Sequence, residues 1–162
     1  MIYFDNSATT FVSEAVRTKI LELTADTVSA NPGSLHKLGT KAAEVYESIR
    51  RETASLLGAK SEEIFFTSCA TESANTAIKG YMSRNKRAGN AVISTRTEHK
   101  ATLECLEYLS GLGYEIRYVK VGSDGKPVIE SLEEELRKGG VALACFTLVN
   151  NEIGRASCRE RV

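Results

Sequence analysis

The sequence predicts an α/β fold with a mainly parallel sheet and flanking helices. Three observations carry this expectation. Short apolar runs rich in β-branched residues recur through the second half of the chain. Longer stretches with apolar residues at helical spacing lie between them. Strands and helices that alternate in this way join through right-handed crossovers, which leave neighbouring strands parallel. The chain has 162 residues, enough for a compact domain with a core of its own.

The elements follow in order. Residues 13–24 place Val16, Ile20, Leu21 and Leu23 at a helical period. Asn31, Pro32, Gly33 and Ser34 then supply turn chemistry. Residues 35–57 return to a helical pattern through Leu38, Ala42, Val45, Ile49, Leu56 and Leu57, with Gly58 as the C-cap. Ile64, Phe65, Phe66 and Thr67 read as a first, buried strand. A helix is expected over residues 71–85 and a second strand over 91–94. The next helix covers 99–112 and is closed by Gly113. A third strand covers 114–121. Ser131 and Glu134 have the spacing of a capping box, which opens a helix to residue 138. Residues 141–149 form a fourth strand. The first 60 residues lack sheet strands of comparable strength and read as an N-terminal helical arm.

Composition narrows the function. Hydrophobic residues make up 42% and charged residues 26%, as in ordinary soluble proteins. The formal net charge is zero, so neither a nucleic acid nor an anionic membrane is an expected partner. The longest apolar runs, such as residues 141–146, are too short to span a bilayer. The start of the chain lacks the basic and apolar pattern of a secretory signal. The four cysteines, Cys69, Cys105, Cys145 and Cys158, are scattered and form no C-x-x-C pair. That spacing argues against a zinc site and a disulfide framework, and a cytoplasmic location is expected. Cys105 and Cys145 read as small buried hydrophobes.

The run Thr67, Ser68, Cys69, Ala70, Thr71, Glu72, Ser73 lies between an expected strand and an expected helix. A helix start presents unpaired N–H groups and the positive end of a dipole, which together attract a phosphate. Small side chains let an anion approach the backbone, and the Thr71 hydroxyl adds a donor. On chemistry alone, the simpler reading is an ordinary N-cap. No Walker loop is present, and the glycine pair Gly111 and Gly113 follows a helix rather than a strand, unlike a dinucleotide fingerprint.

TSCATESAN, over residues 67–75, resembles the phosphate-binding TSGATESxN segment of cysteine desulfurases. Four further segments resemble the same family in the same order: YFDNSATT at 3–10, NPGSLHKLG at 31–39, TEHKA at 97–101 and VNNEIG at 149–154. The resemblance reaches from the start of the chain to Gly154. It implies the N-terminal part of the pyridoxal phosphate (PLP)-dependent transferase fold, aspartate aminotransferase-like and truncated. Residues 1–60 would be a helical arm and 61–154 part of the PLP-binding large domain. Residues 155–162, dense in arginine and without apolar period, read as a non-native tail; the alternative is the start of a native exposed helix.

Carried over by position, the resemblance implies that Ala70 and Thr71 bind the PLP phosphate. It implies that His99 stacks on the ring and helps to move protons, and that Asn151 bonds the ring's phenolic oxygen. Each has a plain structural alternative: a capped surface histidine for His99, a turn residue for Asn151. For His36 the structural reading, a loop residue packed on the arm, is kept. The family usually carries Gly where this chain has Cys69, which would be strained if the backbone there needs positive φ. A thiol at a helix start could also be unusually reactive.

The family's chemistry further needs a lysine that bonds PLP, an aspartate beside the ring nitrogen and a cysteine on a mobile loop. No residue here stands in a matching motif, so the 162 residues are expected to be inactive alone. The parent protein is expected to convert L-cysteine to L-alanine and to pass sulfur, as a persulfide, to an acceptor such as an iron–sulfur scaffold. A homodimer is implied. Selenocysteine lyase, cysteine sulfinate desulfinase and other class V aminotransferases remain as alternatives, and so does a natural truncated binding module without catalysis.

Overall fold

The structure is a computed structural model and describes residues 2–25, 30–150 and 155–156. Its contacts divide the chain into two units, Met1–Phe66 and Thr67–Val162.

The first unit is helical. α1 (Glu14–Ala25) starts where the Ser13 hydroxyl accepts from the Val16 N–H at 3.4 Å. α2 (Lys37–Leu57) is capped by His36, whose Nδ1 accepts from the Gly39 N–H at 3.2 Å. Gly39 cannot carry a side chain, because its Cβ would collide with the backbone carbonyl of Ser34. That close approach is what the NPGSLHKLG loop builds. α2 ends at Gly58, whose φ of 65° lies in the left-handed region open to glycine. At the start of the chain, the Tyr3 hydroxyl lies 3.0 Å from Asp5 O and 3.2 Å from Thr9 O, folding the DNSATT segment around one ring.

The expected strand at residues 64–67 does not form. The chain there is extended but pairs with no strand among the described residues, and Phe65 is 79% exposed. Aromatic, β-prone residues make a strand only when a neighbouring backbone takes up their hydrogen bonds. Phe66 instead meets the Tyr46 ring edge-on at 5.5 Å.

The second unit is the α/β body. It contains α3 (Ala70–Arg84), β1 (Ala91–Ser94), α4 (Lys100–Gly111), β2 (Glu115–Tyr118), α5 (Ile129–Arg137) and β3 (Val141–Ala144). A short antiparallel pair follows, β4 (Val149–Asn150) with β5 (Arg155–Ala156). The expected single strand over 141–149 is therefore two strands with an irregular stretch between them. β2, β1 and β3 form one sheet in that order, parallel throughout. β1 is central and buried along its whole length. One face is covered by Ile78 and Met82 of α3 and by Cys105, Leu106 and Leu109 of α4, packed on Val92, Ile116 and Tyr118. Each fully buried large side chain there contributes roughly 1.5–3 kcal/mol.

β1 leads to β2 on one side, and the chain then crosses back to β3 on the other. Right-handed crossovers in opposite directions put α4 and α5 on opposite faces. Arg117, which points away from the Ile116 face, donates to Glu135 O and Gly139 O at the end of α5. The expected capping box at Ser131 is not there. α5 begins two residues earlier, and the Ser131 hydroxyl accepts from the Lys120 N–H at 3.1 Å. A long-range partner took the oxygen that a local cap would have used.

Candidate functional site

Two helix starts and one strand end define the site, all within the second unit. The first is the start of α3. Cys69 occupies the N-cap position with φ −166° and ψ 169°, extended backbone open to any residue. The strain considered for a cysteine at this position is therefore absent. No side chain caps α3 by a hydrogen bond of good geometry. Ala70 and Thr71 are exposed in its first turn. The Glu72 carboxylate turns back to Ser68 and accepts from its N–H and its hydroxyl, each at 2.7 Å. Those bonds, the hydroxyl first, hold the Glu72 carboxyl below the usual carboxylate range. Thr67 Oγ1 lies 2.5 Å from Ser73 Oγ and pins the loop to the helix. An uncapped helix start with two small, exposed residues fits a phosphate group, and the Thr71 hydroxyl is available there as a further donor.

The Cys69 thiol shares this environment. The N–H of Glu72 lowers its pKa most, followed by the Ser68 hydroxyl at 3.8 Å, against opposing burial. The Ser68 proton is also claimed by Glu72 at the shorter distance, which leaves the backbone as the steadier influence. Cys105 and Cys145 behave in the opposite way. Burial raises both; Cys105 is fully buried, as expected of a small hydrophobe, whereas Cys145 is only partly buried.

The second helix start is that of α4, at the carboxyl end of β1. His99 is its N-cap, and its Nδ1 accepts from the Ala101 N–H at 3.1 Å. The cap of the plain structural reading and the place expected for function thus coincide. With Nδ1 accepting, a neutral imidazole carries its proton on Nε2. Sheet order reverses between β1 and β3, and ligands of open α/β sheets bind at such a reversal, beyond the carboxyl ends of the strands. His99 and Asn150 are both carried on segments that follow these strand ends. Asn150 Nδ2 donates across the reversal to Thr97 O at 3.2 Å.

A cleft of about 410 Å³ joins the two helix starts, with Cys69, Thr71 and Glu72 on one side and Ala101 and Glu104 on the other. Of the residues expected to hold a cofactor, Ala70 and Thr71 start α3, and His99 caps α4. Asn151 lies outside the described residues, as do Cys158 and most of the tail. His36 caps α2 in the first unit.

Sequence reasoning overlooked Glu98. The residue is 8% exposed, its Oε1 accepts from Thr95 Oγ1 at 2.9 Å, and its Oε2 accepts from Thr147 Oγ1. An acid directly before the candidate histidine was the available signal. Its partner Thr147 is 49 positions away, which no local pattern reveals. Among the described residues there is no His/Cys/Asp/Glu cluster suited to a metal, and no helix long and apolar enough to cross a membrane.

Comparison with known proteins bears on the family and the fold. The family model of the aminotransferase class-V domain matches residues 2–160. A cysteine desulfurase IscS of Buchnera aphidicola subsp. Baizongia pistaciae is 43% identical over 155 residues, which cover 94% of this chain and 38% of that protein. Among solved structures, a NifS-like protein is similar at a TM-score of 0.88 and 38% identity, covering 96% of this chain and 42% of that one. A structure described as SspA in complex with cysteine is similar at 0.83 and 32% identity, covering 93% and 43%. The chain thus spans about two fifths of the length of these relatives.

Proposed function

This chain belongs to the aminotransferase class-V family, and from that premise we propose that it is the N-terminal part of a PLP-dependent cysteine desulfurase. In this reading the complete protein is a cytoplasmic homodimer that converts L-cysteine to L-alanine. It hands sulfur, carried as a persulfide on one of its own cysteines, to an acceptor such as an iron–sulfur scaffold. The similar structure described with cysteine supports the substrate. The observation that carries the proposal is the pairing of two helix starts on one cleft, Thr71 from one and the residues following His99 from the other.

Bound PLP supplies an electron sink for bonds at the substrate's α-carbon. The protein's part is positioning and proton control. The first-turn N–H groups of α3 at Ala70 and Thr71, with the Thr71 hydroxyl, bind the phosphate. His99 and Asn151 would hold the cofactor ring, His99 against its face and Asn151 at its phenolic oxygen. The Ala101 N–H holds Nδ1 of His99, so Nε2 is the atom that delivers a proton. The PLP lysine and the sulfur-carrying cysteine belong to sequence beyond these 162 residues, since none of the lysines or cysteines here stands in a matching motif. The 162 residues alone are then inactive.

The test is direct. The complete protein loaded with PLP should release alanine and, with a reductant, sulfide in equal amounts from L-cysteine. Alanine formed from cysteine sulfinate or selenocysteine, with L-cysteine left untouched, would overturn the substrate assignment. The isolated chain mixed with PLP and borohydride should yield no stoichiometric adduct at one lysine.

A further inference from the structure

Glu98 is an acid in a place that core stability alone would not choose. Its carboxylate is withdrawn from water, and no cation pairs with it among the described residues. A well-packed apolar side chain is commonly at least as stabilising as a buried charge. What the carboxylate provides is a two-sided hydrogen bond. One oxygen holds the Thr95 hydroxyl just beyond β1, and the other holds Thr147 between β3 and β4. Carboxylate oxygens only accept, so both hydroxyl protons point inward. Thr95 has then spent its proton, and its oxygen accepts from Thr97 Oγ1 at 3.0 Å. The Thr97 carbonyl in turn takes the Asn150 amide at 3.2 Å. The network therefore crosses the sheet reversal twice, between the residues just before His99 and the segment from Thr147 to Asn150.

We propose that Glu98 is a positioning residue. Its bridge between Thr95 and Thr147 fixes the spacing between the His99 turn and the β4 strand, and so sets where the imidazole stands over the cofactor ring. The cofactor half rests on the function proposed above; the turn-fixing half does not.

The test uses Glu98→Gln and Thr147→Val in the complete protein. Each removes one acceptor or donor of the bridge with little change in volume. Without PLP, hydrogen exchange should rise about tenfold at the Ala101, Thr102 and Leu103 amides, which bond to His99. The Ser73 amide in α3 should not change. With PLP, kcat should fall about tenfold while KM for L-cysteine stays within about twofold. The visible circular dichroism of the bound cofactor should weaken. Glu98→Asp should be as defective as Gln, because the shorter chain cannot reach both hydroxyls. Lowered thermal stability with unchanged exchange at Ala101–Leu103 and an unchanged cofactor spectrum would make Glu98 merely structural and overturn the proposal. If the wild-type protein bound no PLP and consumed no cysteine, the functional assignment would fall, and the exchange data would still decide whether Glu98 fixes the turn.

Discussion

The two units bury their apolar side chains very differently. In the second, Met82, Val92, Cys105 and Leu106 are at most 1% exposed and form the centre of a packed core. In the first, the buried hydrophobic residues among those described are Ala42 and Ala54, whereas Leu35 and Leu56 are 100% and 88% exposed. Both units nevertheless form regular elements. The difference teaches that helices and sheets draw on different sources. α2 is specified locally, by His36 at one end and Gly58 at the other. The sheet exists because distant residues cover both of its faces.

The sharpest test of that contrast is truncation. Leu106→Ala should cost about 2–5 kcal/mol in denaturant unfolding of the second unit. Leu35→Ala should stay within about 0.5 kcal/mol. Equal losses would abolish the distinction. Gly39→Ala probes the one close backbone approach described in the first unit, and should cost about 1–3 kcal/mol through the clash with Ser34. A neutral result would mean that α2 shifts away from its loop.

Thiol chemistry gives a smaller and more local contrast. Among the described cysteines, iodoacetamide should alkylate Cys69 first, since its pKa is lowered by the Glu72 N–H and it lies at the surface. Cys105 and Cys145 should follow far more slowly, because burial raises theirs. Mass mapping of the first adduct checks the order, and initial labelling of Cys105 would contradict it. The smallest effect belongs to Glu72. Its folded pKa lies below the unfolded value, so its contribution is complete above the unfolded pKa and is lost as pH falls through the folded one. Glu72→Gln should therefore lose less stability than wild type on acidification. The group is solvent-exposed, so the difference should shrink further in high salt.

Much of this was legible in the sequence, for reasons that can be named. α2 and α4 were visible because apolar period and closing glycine agree, although His36, read as a loop residue, is in fact the cap of α2. β1 was visible as an apolar run between turns. The run Ile64, Phe65, Phe66 misled because strand propensity says nothing about whether a partner is present. Ser131 misled because its hydroxyl bonds the backbone of Lys120 rather than its own helix. At the site, the positions of Thr71 and His99 followed from motif order. Glu98 did not, because its meaning depends on a threonine brought beside it by the parallel pairing of β1 with β3.

That pairing has a further consequence, for the order of assembly. The central strand comes first in the chain: Ala91 pairs with Glu115 on one side and later with Val141 on the other. On a ribosome, β1 emerges before either neighbour, and each later strand docks on an edge that already exists. The sheet grows outward from its middle. The Glu98 bridge closes only when Thr147 arrives, so the His99 turn reaches its final shape last, after the core beneath it has formed.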